Sequence, residues 1–148
     1  MKQNHDLIET ATKAGDFQVL IEAVTKAGFK QSLKDSGPYT VFAPTDAAFK
    51  KLPKKELDNL LRPKNKESLQ FLLRNHIMLG KIMSKDLQRL ETARTAKGEK
   101  ITIGNQNGLW INDAKILSAD LEATNGVLHR INKVLLYRPR AAANRNRN

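Results

Sequence analysis

The spacing of apolar residues changes near residue 75, and this change constrains the fold more than any other feature. Before it, apolar side chains recur every three or four residues, which is typical of amphipathic helices. After it, they occur in short runs bounded by glycine and asparagine, which is typical of strands joined by hairpins. A chain of 148 residues with helices first and hairpins later is expected to form one α+β domain with a mostly antiparallel sheet.

Capping residues divide the first half of the chain into helices. Asp6 is placed to cap a helix over residues 7–14, which Gly15 would end. Asp16 is placed to cap a second helix, which Gly28 would end. Further apolar stripes predict three short helices through residues 47–49, 57–61 and 69–73.

Two Asn-Gly pairs mark hairpin turns in the second half, because both residue types tolerate positive φ. Asn107-Gly108 separates two short apolar runs, and Asn125-Gly126 separates two longer ones. The predicted strands cover residues 39–42, 77–79, 101–103, 109–111, 116–119 and 127–136.

The formal net charge of +11 is unevenly distributed along the chain. From Arg138 onward the sequence holds four arginines and no acid, so we expect a domain over residues 1–139 and a disordered basic tail over 140–148. Seven basic residues lie between positions 50 and 66, against two acidic ones, and we call them the basic patch. They are Lys50, Lys51, Lys54, Lys55, Arg62, Lys64 and Lys66.

The basic patch has two interpretations. It is either a solvated helical face or a docking surface for phosphates, sulfated glycans or other acidic partners. No aromatic residues are interleaved with it, which weakens the case for single-stranded nucleic acid.

The sequence offers little catalytic chemistry. It has no cysteine, no phosphate-binding glycine loop and no nucleophile elbow. None of its three histidines has a second ligand at a metal-binding spacing. His76 and His129 lie in apolar runs, so we expect both to be hydrogen-bonded core residues. The sequence therefore predicts neither an enzyme nor a metal or cofactor site.

Three segments of the chain carry a specific pattern. The first reads GPYTVFAPTDAAF over residues 37–49, the second LLRNHI over 72–77 and the third NGVLHRI over 125–131. The prolines of the first segment bound a strand, and its Thr-Asp pair is placed to cap the next helix. We expect both phenylalanines to lie between helices and sheet. The signature residues are Pro38, Phe42, Pro44, Thr45, Asp46, Phe49, Asn125, Gly126 and His129.

These segments, in this order, resemble the signatures of the fasciclin-like adhesion domain family. The resemblance implies a single-domain member with a helical region packed on a wedge of two mostly antiparallel sheets. It also implies a non-enzymatic, monomeric binding module that contacts a cell-surface protein or an acidic polysaccharide, in an extracellular or periplasmic location. Because the chain shows neither a signal peptide nor a membrane span, a cytoplasmic location stays open.

Two residue pairs are candidates for partner binding through this resemblance. In animal members, adhesion is tied to a Tyr-His pair and to an Asp-Ile pair. The matching positions here are Asn75-His76 and Asp120-Leu121, so the tyrosine is absent and the isoleucine is replaced conservatively. These departures weigh against integrin binding.

Two alternative functions accompany the adhesion hypothesis. Some algal members of the family bind carotenoid, so one alternative is a carrier of a carotenoid or other apolar small molecule in a groove between helices and sheet. The other is nucleic-acid binding through the basic patch and the arginine-rich tail.

Overall fold

The computed structural model describes residues 5–35, 37–96, 98–105 and 107–135. The predicted tail over 140–148 and the end of the predicted domain lie outside the described residues. The helices are α1 Leu7–Ala14, α2 Gln18–Ala27, α3 Lys30–Asp35, α4 Asp46–Lys50, α5 Lys54–Leu60, α6 Lys66–Arg74 and α7 Ser84–Leu87, with a 3₁₀ turn at Pro63–Asn65. The strands are β1 Tyr39–Pro44, β2 Ile77–Leu79, β3 Thr92–Arg94, β4 Lys100–Gly104, β5 Trp110–Ile111, β6 Ala114–Ala123 and β7 Gly126–Ile131.

The strands hydrogen-bond in the order β2-β1-β7-β6-β5-β4-β3. Every neighbouring pair is antiparallel except β1 and β7, which are parallel. The two ends of this order meet, because the Ala96 N–H, just after β3, donates to the Ile77 carbonyl of β2 at 2.6 Å. The predicted α+β class with a mostly antiparallel arrangement is confirmed.

Two apolar clusters fill the domain, and β1 separates them. The first lies between the helices and the sheet and includes Val41 and Ala43. The second includes Phe42. It lies between the two halves of the sheet, which folds over so that its end strands β2 and β3 approach each other. Side chains alternate across a strand, so β1 is buried on both faces. Phe49 lies between helices and sheet as expected, whereas the same expectation for Phe42 is wrong.

The helix caps follow the sequence at α1 but not at α2. Asp6 caps α1 through a reciprocal capping box. The prediction that Asp16 caps α2 is wrong, because Phe17 occupies the N-cap position and makes no side-chain cap. The cap comes instead from Asp46, whose Oδ1 accepts from the Val19 N–H at 2.8 Å. A residue distant in sequence therefore supplies what the local one was expected to supply.

Both predicted hairpin turns are present. Asn107 and Gly108 have φ of 56° and 112°, as the turn between β4 and β5 requires. Residues 124 and 125 form the turn between β6 and β7. The last predicted strand is too long, because β7 ends at Ile131. Asn132, the next residue, still exchanges hydrogen bonds with Lys115 of β6.

Three short elements were not predicted: α3, α7 and β3. They have six, four and three residues, too few to show a period. Their stability comes from tertiary contacts, since β3 pairs with β4 and β6 caps α7, as described below.

Candidate functional site

The Thr-Asp pair of the first signature segment caps two different helices. Thr45 Oγ1 accepts from the Ala48 N–H at 3.1 Å and begins α4, as the sequence predicts. Its neighbour Asp46 turns to α2, and its own N–H donates to the Asp16 carbonyl at 2.9 Å. These residues are occupied by backbone partners, so their role is to join β1 to the helical layer.

The Asn-Gly pair of the third segment joins the β6–β7 turn to three other elements. Asn125 Oδ1 accepts from the Leu7 N–H at 3.0 Å, and its Nδ2 donates to the Leu33 carbonyl at 2.8 Å. Gly126 lies directly against β1, and a Cβ at this position would overlap the Tyr39 carbonyl. Only glycine permits so close an approach of two strands.

His129 is fully buried between two segments of backbone. Its Nε2 donates to the Ile82 carbonyl at 2.8 Å, and its Nδ1 accepts from the Asp120 N–H at 3.2 Å. The ring stacks on Phe42 at 5.9 Å between centroids. Burial lowers the pKa of His129, against the opposing influence of the Ile82 carbonyl and the Asp120 carboxylate. His129 is therefore a neutral structural residue, as expected for a core histidine.

Asp120, one of the partner-binding candidates, caps a helix. It lies at an irregularity in β6 with φ of 65°, which aims its carboxylate at α7. There the two oxygens accept from the Ser84 N–H at 2.8 Å and from Ser84 Oγ at 2.6 Å. Burial opposes ionisation, but these hydrogen bonds and the nearby His129 lower the pKa of Asp120 on balance. The adjacent Leu121 is half-buried against the first apolar cluster.

Asn75 and His76, the other candidate pair, are both buried, with 4% and 2% exposure. His76 Nδ1 donates to the Leu72 carbonyl at 2.9 Å, and its Nε2 accepts from the Leu135 N–H at 2.7 Å. Burial lowers the pKa of His76 to about 4, although the Leu72 carbonyl works in the opposite direction. Asn75 Nδ2 lies 3.5 Å from the Leu135 carbonyl. The pair holds the described segment after β7 against α6.

The structure does not bring the two candidate pairs together. Asn75 and His76 precede β2, whereas Asp120 and Leu121 lie on β6, and two strands separate β2 from β6 in the sheet. The four side chains form no shared exposed surface, since two are buried and the other two half-buried.

The residues of the basic patch lie along α4, α5, the 3₁₀ turn and the first residue of α6. All seven of its residues are exposed. Leu57 and Leu60 of α5, and Leu61 directly after it, pack against the first apolar cluster. Lys51 Nζ donates to the Asn132 carbonyl at 2.8 Å. The other six basic residues form no ion pair or hydrogen bond with any described residue.

Cavities in the described part of the chain differ in size and chemistry. One of about 380 Å³ lies between α5 and α6, beside the basic patch, with Asn59 and Phe71 in its lining. One of about 210 Å³ lies between α3, the end of α6 and β2. Between α1, α2 and the sheet there is a space of only about 20 Å³, enough for one water molecule.

Two further absences hold for the residues that the structure describes. No three histidine or acidic side chains converge where they could bind a metal ion. None of the described helices combines the length and apolar character needed to cross a membrane.

Arg130 makes tertiary contacts that were not predicted from the sequence. Its Nη2 donates to Asp16 Oδ1 at 3.0 Å, and its Nε lies 2.9 Å from Asp16 Oδ2. Nη1 donates to Ser118 Oγ at 2.7 Å, and the guanidinium lies 5.2 Å from the Phe17 ring centroid. The only sequence signal for this role was that Arg130 lies inside the third signature segment. Because the Asp16 carboxylate binds Arg130, it is not free to cap α2.

The signature residues thus serve as caps, turns and core contacts of a small α+β domain, and none of them is arranged for catalysis. The family model for the fasciclin domain matches residues 15–137, and the chain belongs to the fasciclin domain family.

Relatives of known sequence or structure agree with this assignment. Protein sll1483 of Synechocystis sp. is 40% identical over 131 residues, which are 88% of this chain and 72% of that protein. The transforming growth factor-beta-induced protein ig-h3 of Sus scrofa is 37% identical over 120 residues, covering 80% of this chain and 17% of that protein. A FAS1 domain pair from the insect cell adhesion molecule Fasciclin I superimposes with a TM-score of 0.76 at 18% identity, over 91% of this chain and 52% of that one. Of these three, the insect protein is a cell adhesion molecule.

Proposed function

We propose that this chain is a surface-contact module that binds acidic polysaccharide through the basic patch. The observation that carries the proposal is the state of the patch: seven exposed cations lie within seventeen consecutive residues, and none of them forms an ion pair with a described residue. Some cations elsewhere are paired: Lys81 and Lys34 have carboxylate partners at 2.7 Å and 3.4 Å. An extracellular or periplasmic location, as the family resemblance implies, would place the patch opposite such polymers.

The patch suits a sulfated or carboxylated sugar chain better than a nucleic acid. Six of its seven cations are lysines, which act as flexible point charges and do not require one fixed partner geometry. Stacking of bases needs exposed aromatic rings. The single tryptophan, Trp110, is half-buried with Lys115 Nζ 5.9 Å from its ring centroid. It lies on β5, which is not one of the elements that carry the patch.

Binding to heparin resin as a function of salt tests this proposal. We expect the wild-type chain to be retained at low salt and released as salt rises, because released counterions drive such binding. The double variant Lys54→Glu/Lys55→Glu should elute at clearly lower salt, with a salt slope reduced by about one for each lysine that no longer binds the polyanion. The matched control is Lys85→Glu/Arg89→Glu. It changes the net charge by the same amount at two exposed residues of α7 and the segment after it, away from the patch.

If the two double variants lowered the elution salt equally, retention would depend on net charge alone, and a specific role of the basic patch would be contradicted. Retention of the wild type by single-stranded DNA resin, stronger than by heparin, would favour the nucleic-acid alternative. Deletion of residues 138–148 then separates the tail from the patch, since only a contribution of the tail would change the salt slope.

The remaining hypotheses stay predictions. The Asn75-His76 and Asp120-Leu121 pairs are occupied in the fold, so the proposed contact does not use them. Carotenoid carriage would show as visible absorbance of protein isolated from its native source, and colourless protein would argue against it.

A further inference from the structure

A second surface feature, distinct from the basic patch, is an apolar cavity between α3, the end of α6 and β2. Its volume is about 210 Å³, the liquid volume of about seven water molecules. Its apolar walls are the side chains of Phe29, Leu33, Tyr39, Ile77 and Leu79. Leu79 is 70% exposed, the largest value for a large apolar side chain in the described part of the chain. Because Leu79 lines the cavity, an apolar group bound there would bury part of its exposed side chain.

The position of Leu79 follows from the alternation of β2. Ile77 and Leu79 point to the cavity side, while Met78 points into the second apolar cluster. A three-residue strand therefore supplies one wall of the cavity and one contact of the core. β2 pairs with β1 on one side, and on its other side the Ile77 carbonyl accepts from the N–H of Ala96, which also lines the cavity.

One cation stands at this cavity. Arg74, the last residue of α6, lines it, and its guanidinium carbon lies 5.4 Å from the Phe29 ring centroid. Arg74 is exposed and forms no ion pair with a described residue. Ser32 adds a hydroxyl, and no acidic side chain occurs among the described residues of the lining. The guanidinium has a planar fork of donors that matches a carboxylate.

We propose that this cavity binds an amphipathic monocarboxylate of the medium-chain fatty-acid class, with its tail against the apolar walls and its carboxylate on Arg74. The volume falls below the usual 300–1,000 Å³ of sites for drug-sized ligands, so a short tail fits and a long polyene does not. An apolar lining with a single cation at its side favours a ligand that has an apolar tail and one negative charge.

This site is independent of the polysaccharide surface. Arg74 and Lys66 lie at opposite ends of α6, about 12 Å apart along the helix at 1.5 Å per residue. Saturation of the cavity should therefore leave heparin retention unchanged, and failure of either proposal would not affect the other.

Isothermal titration calorimetry with octanoate tests the site, with octanol as the uncharged probe of the same chain length. We expect saturable, one-to-one binding of octanoate and at least about tenfold weaker binding of octanol. The variant Arg74→Gln removes the charge from an exposed side chain, so it should fold normally. It should weaken octanoate about tenfold and leave octanol within about twofold.

Two further variants complete the experiment. Leu79→Asn makes an exposed apolar wall polar and should weaken both probes. Arg89→Gln, which removes an exposed charge beside α7, is the control and should change neither. Equal affinity for octanoate and octanol, an unchanged octanoate affinity in Arg74→Gln, or no saturable octanoate binding would each overturn the proposal.

Discussion

Acidification should destabilise this domain through one buried side chain, His76. Both ring nitrogens are occupied: Nδ1 donates to Leu72, and Nε2 accepts from the Leu135 N–H. A proton added to Nε2 would oppose the Leu135 N–H and abolish that hydrogen bond. The ring would also carry a charge at 2% exposure. Both effects disfavour the imidazolium in the folded state.

The size of the effect follows from the pKa. Folding lowers the pKa of His76 from 6.5 to about 4, so the unfolded chain binds this proton more readily. The stability that neutral His76 contributes is complete above pH 6.5 and falls as the pH drops from 6.5 to about 4. At about 1.4 kcal/mol per pH unit, the total loss is about 3 kcal/mol. That is a large share of the 5–15 kcal/mol typical of a domain.

Urea unfolding of the wild type and of His76→Gln at pH 7, 6, 5 and 4 measures this loss. The other titrating groups are common to both proteins, so they largely cancel in the difference. At pH 7 the variant should be less stable by about 1–3 kcal/mol, because a buried backbone group loses its partner. Between pH 7 and pH 4 the difference should move by about 3 kcal/mol in favour of the variant, so that at pH 4 the variant is at least as stable as the wild type.

Ile77→Val is the matched control, since it costs about 0.5–1.5 kcal/mol through packing alone. Its difference from the wild type should not vary with pH. If the difference between the wild type and His76→Gln were equally constant, the fold would tolerate the imidazolium, and a buried neutral His76 would be refuted as the source of acid sensitivity.

Three further substitutions test the other contacts by urea unfolding at pH 7. Gly126→Ala should cost more than about 2 kcal/mol, because its Cβ would overlap the backbone of β1; a near-neutral effect would mean that the strands separate easily. Asp46→Ala should cost about 1–2 kcal/mol as a lost cap of α2, and an effect no larger than that of an exposed alanine substitution would argue against the cap. Asp120→Asn should cost about 1 kcal/mol through weaker bonds to Ser84. Because folding lowers the pKa of Asp120, that cost should be largest at neutral pH and disappear in acid, and a cost that persisted in acid would contradict the role of the charge.

Much of the fold could be predicted because its signals are local. The capping box at Asp6, the positive φ at Asn107 and the helical stripe through Leu72 each act within a few residues. The elements that were missed, α3, α7 and β3, are short and depend on partners elsewhere in the chain. No spacing in the sequence indicates that a carboxylate on β6 will cap a helix 36 residues earlier.

The candidate sites divide in the same way. Charge clustering is visible in the sequence, so the basic patch could be identified from the order of residues alone. The cavity at Arg74 could not, because its walls come from α3, β1, α6 and β2 and meet only after folding. The partner-binding pairs were identified through the family resemblance, which carries no information on burial, and the structure shows that Asn75 and His76 are inside.

The change of apolar spacing near residue 75 was enough to determine that helices precede hairpins in one α+β domain. The spacing of apolar residues shows which face of each helix or strand is buried away from water. Tertiary structure alone decided what the polar side chains do. Asp46, Asp120 and Arg130 each bind a partner at least 12 residues away. A buried hydrogen bond depends on which groups meet in three dimensions, and the order of residues along the chain does not specify that meeting.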